Sequence, residues 1–197
     1  MIPGGRRMPE RAFLVRHGQT VWNAEHRLHG RQDSPLTADG IRQACEMAKR
    51  LRDRGISTVC SSPLGRALRT AVIIADEIGA QLVQVPELTE IDHGAMTGMT
   101  WTEIDEVFPG ARAARAENRY GWAFPGGESY AQARARAREA LTACGWAADG
   151  VPVLVSHEQI GRMLRAELRA LSHPDALALR HPHGVVFEID RSGERIL

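Results

Sequence analysis

The chain has 197 residues, of which 43% are hydrophobic and 25% charged, as in an ordinary globular domain large enough to bury its own core. A formal net charge of +1 disfavours nucleic acid or a membrane surface as a partner. No apolar run reaches the ~18 residues of a membrane-spanning helix. Because Cys45, Cys60 and Cys144 are odd in number and far apart, we expect reduced core thiols and a cytoplasmic protein.

The order of the predicted elements is that of an α/β protein. Apolar runs predict strands at residues 12–15, 57–60, 81–85, 151–155 and 185–189, with a final edge at 195–196. Helical spacing and caps predict helices at residues 37–54, 63–78, 129–146 and 160–171. This alternation of strands and helices predicts one domain over residues 1–197, with residues 1–10 as a loose tail. We expect a three-layer α/β/α sandwich with a mostly parallel central sheet.

Residues 88–126 are the least regular part of the chain. They are rich in glycine and proline, and only residues 100–107 have the pattern of a short helix. A long irregular insertion inside a compact domain is usually a functional loop or a lid. We therefore expect this segment to shape the substrate site.

Charged and imidazole side chains follow three of the predicted strands. Arg16 and His17 come directly after the first strand, Arg66 lies shortly after the second, and His157 follows the strand at 151–155. Ligands of such sheets bind beyond the carboxyl ends of the strands, so these four side chains should meet at one rim. Two arginines and two histidines suit a phosphoryl group, with one imidazole attacking phosphorus and the other donating a hydrogen bond.

A departing alkoxide also needs a proton, which requires a carboxylic acid near the phosphorus. Glu90 lies just beyond the third strand and is the first candidate, with Asp92 as the second. A small phosphate ester is thus the expected partner. Assembly into a homodimer is compatible with the sequence.

Two histidine pairs invite a metal assignment: His26 with His29, and His181 with His183. Neither pair has carboxylate or cysteine ligands at a suitable spacing, so we interpret all four as loop histidines. The arginine-rich residues 112–119 are interpreted as a solvated face. The alternative is that Arg115 and Arg119 reach a second acidic group of the substrate.

Several blocks of the sequence resemble the histidine phosphatase superfamily, and more closely its phosphoglycerate mutase-like branch. The blocks are residues 14–20 with Asn23, 30–37, 61–67 with Thr70, 88–98, 125–129 and 155–157. They follow the family's order, and the resemblance covers residues 13–189.

The resemblance implies a role for each matching residue. His17 matches the phospho-accepting histidine, His157 the second pocket histidine, and Glu90 the acid that protonates the leaving group. The expected substrate-binding residues are Arg16, Gln19, Thr20, Asn23, Arg66 and His157. Arg16 and Arg66 would form the phosphate clamp and take part in catalysis. The resemblance implies no metal and no redox cofactor.

Glu158 departs from the family pattern, which has glycine directly after the second histidine. A carboxylate there either points away along the helix start or weakens phosphate binding by repulsion. Because anionic side chains are favourable in the first turn of a helix, we expect Glu158 to point away from the pocket.

The sequence is compatible with three functions. The first is a phosphomonoesterase that hydrolyses a small phosphorylated metabolite through a phosphohistidine. The second is a phosphoglycerate mutase-type enzyme, which returns the phosphoryl group to another hydroxyl. The mutases of the family that the chain resembles tend to carry a longer segment over the substrate after Glu90, so the modest stretch at residues 100–117 favours the phosphatase. The third, a phosphate-binding scaffold without catalysis, is the least favoured because every pocket residue and an acid are present.

Overall fold

A single mixed sheet organises the computed structural model, which describes residues 9–147, 150–190 and 192–197. Its strands are β1 (Arg11–Arg16), β2 (Thr58–Ser61), β3 (Gln81–Gln84), β4 (Val153–Ser156), β5 (Val186–Asp190) and β6 (Gly193–Ile196). The strand order is β3-β2-β4-β1-β5-β6. The four strands β3, β2, β4 and β1 are parallel, and β5 and β6 add antiparallel pairs at one edge.

Eight α-helices lie in the described residues. They are α1 (Val21–Ala24), α2 (Ala38–Leu51), α3 (Gly65–Ile78), α4 (Trp101–Val107), α5 (Ala111–Glu117), α6 (Tyr130–Ala147), α7 (Glu158–Leu168) and α8 (His173–Ala178). Within these residues, no helix combines the length and the apolar character that a membrane span would need. The predicted tail at residues 1–10 falls outside the description except for Pro9 and Glu10, which have no regular secondary structure.

Two apolar clusters cover the two faces of the sheet. One packs side chains of α2 and α3, such as Met47 and Ile74, against Phe13 and Val15 of β1. The other packs side chains of α6 and α7 on the opposite face, where Leu14 points. Alternate residues of one strand thus serve two helical layers. The predicted three-layer α/β/α sandwich with a mostly parallel sheet is confirmed.

Local sequence signals place several helix ends as expected. The Thr37 hydroxyl accepts a hydrogen bond from the amide of Gly40 and caps α2, and Gly79 ends α3 with a φ of 67°. The prediction that Cys45 is a core thiol is wrong, because this residue of α2 is exposed. Cys60 and Cys144 are buried free thiols, as predicted.

The irregular segment contains the predicted short helix as α4, but also α5, which the periodicity did not indicate. The residue before α5 is Gly110 at a φ of 84°, so its entry has no side-chain cap to signal a helix start. Helix α8 was likewise not predicted. It is a six-residue helix, too short for a periodic apolar face to be recognised.

The carboxyl ends of β1, β2 and β4 meet at one rim of the sheet. Arg16 pairs with Ser156 in the β1–β4 register, and Ser61 pairs with Val155 in the β2–β4 register. The amide of His17 donates to the carbonyl of Ser156 at 3.0 Å, which continues the ladder by one residue. The segments that follow these three strands are therefore adjacent.

Candidate active site

His17 lies at the centre of this rim, buried and surrounded by other imidazoles. Its ring centroid is 5.1 Å from that of His157 and 5.3 Å from that of His183. The following residue is glycine because the chain turns tightly against α2: a Cβ on Gly18 would lie 2.1 Å from the carbonyl oxygen of Gly40. This close backbone contact holds the turn that presents His17.

The hydrogen bonds of His17 show which of its ring nitrogens carries the proton. Its Nδ1 lies 2.7 Å from the carbonyl oxygen of Gly18, and because a carbonyl only accepts, Nδ1 carries the proton. The Nε2 atom of the neutral ring then keeps its lone pair, and it accepts a hydrogen bond from Nε of Arg66 at 3.3 Å. Burial, reinforced by the positive charges nearby, lowers the pKa of His17 well below its ordinary value of 6.5. The ring is therefore neutral and suited to nucleophilic attack at neutral pH.

Arg66 is a buried guanidinium held from several sides. Its Nη1 donates to the carbonyl of Gln32 at 2.6 Å and to the carboxylate of Asp33 at 3.0 Å, and its Nη2 donates to the carbonyl of Gly30 at 2.9 Å. The Asp33 carboxylate also accepts from the backbone amide of Arg66 and so caps α3. The loop after α1 thereby fixes the orientation of Arg66 towards His17.

Arg16 lies on the other side of the pocket with its side chain 12% exposed. Its Nη1 is 3.4 Å from the carbonyl of His181, and its Nε is buried with no hydrogen-bond partner among the described residues. His157 is fully buried as well. Its Nε2 is 2.8 Å from the hydroxyl of Ser62, and its Nδ1 likewise has no partner in the described part of the chain. A buried donor without a partner, such as Nε of Arg16, is suited to an oxygen of a phosphoryl group.

Glu90 reaches the pocket and Asp92 does not. The Glu90 carboxylate accepts backbone N–H bonds from Ile91 at 2.9 Å, Gln159 at 3.1 Å and Ile160 at 3.0 Å, and therefore sits on the first turn of α7. Asp92 instead accepts from the amide of Gly94 and lies 3.5 Å from Nε of Arg31. This geometry favours Glu90 over Asp92 as the acid.

Three of the predicted substrate contacts, Arg16, Asn23 and Arg66, line the pocket, whereas Gln19, Thr20 and His157 are not among its walls. A small cavity of about 80 Å³ lies at this rim, and Arg16, His17, Asn23, Arg66, Glu90 and Glu158 are among its walls. Thr20 is buried behind it, capping α1 and bonding His29 at 2.7 Å. The Gln19 side chain accepts a hydrogen bond from Thr37 and is not part of the wall. The substrate-binding roles given to Gln19 and Thr20 stay predictions.

Three further histidines lie in or against the site. His29 and His93 line the cavity, and Nδ1 of His183 donates to the carbonyl of His17 at 2.7 Å. The sequence interpretation of His29 and His183 as loop residues holds for their backbone, but it missed their contact with the pocket. Gln159 also lines the cavity and pairs with His93 at 2.8 Å. In the sequence, His29 lies directly before the block at residues 30–37, and this position could have indicated its contact with the pocket.

Glu158 turns towards the pocket, which corrects the expectation that it points away. Its Oε2 is 3.0 Å from Nη1 of Arg16, and its Oε1 pairs with Arg162 one turn along α7. The favourable position in the first helical turn is kept, but the nearby guanidinium groups determine where the side chain points. The carboxylate therefore occupies the clamp that a phosphate would use.

The comparisons with known proteins agree with this site. Residues 12–197 match the family model described as the histidine phosphatase superfamily, branch 1. The chain belongs to the histidine phosphatase superfamily. A relative from Yersinia enterocolitica, named Probable phosphoglycerate mutase GpmB, is 42% identical over 146 residues, which cover 74% of this chain and 68% of the relative. The predicted resemblance is confirmed.

Solved structures of this superfamily share the fold of the chain. A mycobacterial glucosyl-3-phosphoglycerate phosphatase, solved as a complex with VO3, has a TM-score of 0.82 at 30% identity and covers 95% of this chain and 96% of its own. Bacillus stearothermophilus YhfR has a TM-score of 0.82 at 29% identity, covering 94% of both chains.

The buried imidazoles make stability depend on pH. Burial lowers the pKa of His93 from 6.5 to about 4, so below pH 6.5 the unfolded chain binds a proton that the folded chain excludes. The free energy of unfolding should therefore fall as the pH drops from 6.5 towards 4, by about 2 kcal/mol at pH 5 for this residue alone. Urea unfolding of the wild type and His93→Gln at pH 7 and pH 5 measures this, and the variant should show the smaller fall. An equal fall in both proteins would contradict the assignment.

Removal of the Glu158 charge should strengthen phosphate binding, because the carboxylate competes with phosphate for Arg16. Titration calorimetry with inorganic phosphate should show Kd for Glu158→Gln lowered about two- to fivefold, the range of a partly exposed ion pair. The control is Glu139→Gln, which removes an exposed glutamate from α6. If Glu158→Gln and the control bind phosphate equally, the carboxylate does not compete at the clamp.

Proposed function

We propose that the chain is a phosphomonoesterase that hydrolyses a small phosphorylated metabolite through a phosphohistidine at His17. The observation that carries this proposal is the unprotonated Nε2 of a neutral, buried His17, which accepts a hydrogen bond from the guanidinium of Arg66. A nucleophile with cationic groups on both sides is what transfer of a phosphoryl group requires. The phosphatase names of structural neighbours at 30% identity support the same reading.

In the first step, Nε2 of His17 attacks phosphorus in line with the leaving oxygen. The new N–P bond forms as the P–O bond to the leaving group breaks, and the electron pair goes to that oxygen. The Nδ1–H bond to Gly18 stabilises the positive ring that results. Arg16, Arg66 and His157 hold the equatorial oxygens, where charge accumulates in the transition state.

Glu90 supplies the proton for the leaving oxygen. Its Oε2 accepts only the amide of Gln159 among the described residues, so a lone pair remains to carry that proton. In the second step, Glu90 takes a proton from a water molecule that attacks the phosphohistidine, and inorganic phosphate leaves with His17 restored. Both steps use side chains of the chain alone, and we propose that the reaction needs no metal.

A mutase-type reaction is the second candidate, and its support is the 42% identity to a Probable phosphoglycerate mutase. The segment after Glu90 carries a 3-10 turn at Gly94–Met96 and the two seven-residue helices α4 and α5. These short elements cover little of the site and therefore favour access of water. Release of inorganic phosphate from a monophosphorylated substrate without a bisphosphorylated primer would support the phosphatase. An obligate need for the primer, with an isomer as product, would support the mutase.

A non-catalytic scaffold remains the least favoured function, because the nucleophile, the clamp and the acid share one cavity. The cytoplasmic location, the small-molecule partner and the open question of a homodimer stay as predicted from the sequence.

Glu90→Gln tests the role of the acid. This variant should lose at least about a hundredfold in kcat with an alkyl phosphate, the usual size of a general-acid contribution. With p-nitrophenyl phosphate, whose leaving group departs without a proton, the loss should be much smaller. Steady-state kinetics with both substrates measure the difference, and Asp92→Asn serves as the matched control. Equal losses on both substrates would show that Glu90 only holds α7 in place.

A further inference from the structure

His183 contacts the backbone of His17 but does not line the space where a phosphate would bind. Its Nδ1 is 2.7 Å from the carbonyl oxygen of His17, and because a carbonyl only accepts, Nδ1 of His183 carries the proton. The two imidazole rings meet edge to face, with centroids 5.3 Å apart. His183 is not among the residues that line the cavity of about 80 Å³. It is therefore placed to act on His17 rather than on a substrate.

The carbonyl that His183 holds belongs to the peptide group between His17 and Gly18. The amide of the same peptide group donates to the hydroxyl of Thr70 at 3.1 Å. Because glycine offers little steric resistance to rotation, these two hydrogen bonds fix the orientation of the peptide group from opposite sides. The next carbonyl, that of Gly18, accepts the Nδ1–H of His17. A turn of the peptide group would displace that acceptor, and with it the preference for the proton on Nδ1 of His17.

The backbone that carries His183 is held on both sides of this residue. On one side, His181 packs directly on α7: a Cβ on Gly161 would lie 2.3 Å from Cδ2 of His181, so the approach requires glycine. On the other side, Nη1 of Arg50 in α2 donates to the carbonyl of Gly184 at 3.0 Å. The side chain of His183 itself is half-buried. A substitution at this position should therefore change the hydrogen-bond donor and leave the chain in place.

His183 supplies this hydrogen bond without adding a charge. Burial, reinforced by the positive charge of Arg16, lowers the pKa of His183 from 6.5 to about 4, so the ring is neutral at neutral pH. A cation at this position would repel the positive ring that His17 becomes when its Nε2 bonds to phosphorus. A neutral donor holds the carbonyl and avoids that repulsion.

We propose that His183 is a positioning residue for the phosphoryl transfer. Through the carbonyl of His17 it holds the His17 ring in the tautomer whose Nε2 is unprotonated and accepts from Arg66. The effect on the tautomer is a property of the protein without substrate. The effect on the reaction rests on the proposed function, because it requires His17 to be the nucleophile.

Two variants of nearly equal shape separate the donor from the volume of the side chain. In His183→Asn, Nδ2 is bonded to Cγ as Nδ1 is in histidine, so a donor can reach the His17 carbonyl from the same position. In His183→Leu, a methyl group takes that position and no donor remains. His183→Ala also lacks a donor but is too small to clash, and it should behave as His183→Leu does.

The first readout is the tautomer of His17, from NMR spectra of isotopically labelled imidazole nitrogens assigned with His17→Ala. We expect the proton on Nδ1 of His17 in the wild type and in His183→Asn, and a mixture of tautomers in His183→Leu and His183→Ala. If the variants without a donor keep the wild-type tautomer, the proposal is wrong.

The second readout is the rate at which the phosphohistidine forms in a single turnover with an alkyl phosphate. This rate should fall about ten- to hundredfold in His183→Leu and stay within about threefold of the wild type in His183→Asn, because small displacements of a nucleophile cost on that scale. Inorganic phosphate should bind all variants within about twofold of the wild type, since Arg16 and Arg66 are unchanged. Equal rates in His183→Leu and His183→Asn would overturn the positioning role. So would a parallel loss of phosphate binding in His183→Leu, which would show that the whole site is disturbed.

The two readouts separate the failure of this proposal from that of the proposed function. If the tautomer of His17 depends on a donor at position 183 but no phosphohistidine forms, His183 positions His17 and the phosphatase proposal fails. If the phosphohistidine forms equally fast with and without that donor, the phosphatase stands and the positioning role of His183 is wrong.

Discussion

The site depends on the hydrogen bonds that hold the buried guanidinium of Arg66. Its charge is removed from water, and such a group is costly unless it is paired and hydrogen-bonded. Residues 30–33 supply the carbonyl oxygens and the carboxylate that it needs, and Nε remains directed at His17. The requirement to satisfy one cation therefore ties the loop after α1, the start of α3 and the end of β1 into a fixed arrangement.

The electrostatics of the pocket follow from that arrangement. Burial and neighbouring cations lower the pKa of both His17 and His157, so both rings are neutral, as the proposed nucleophile and its hydrogen-bonding partner require. Glu158 offsets part of the charge of Arg16, and we expect this ion pair to weaken the binding of a free phosphate.

Much of this site was predictable from the sequence because parallel strands deliver their following residues to one rim. Buried strands have apolar runs, and the polar residues after three such runs are Arg16, His17, Arg66 and His157. The position of His183 against His17 was not predictable, because it arises from packing between residues 166 positions apart. The predicted orientation of the Glu158 side chain was wrong for a related reason. The preference for acidic residues in a first helical turn takes no account of Arg16, which only the folded chain places beside Glu158.

The central claim is that His17 receives the phosphoryl group. The most direct measurement mixes the protein with a phosphorylated substrate, quenches it in alkaline denaturant and locates the phosphoryl group by peptide mass spectrometry. We expect an acid-labile, base-stable phosphoryl group on His17 of the wild type and none on His17→Ala. A phosphoryl group on another residue, or equal labelling of the His17→Ala protein, would contradict the mechanism.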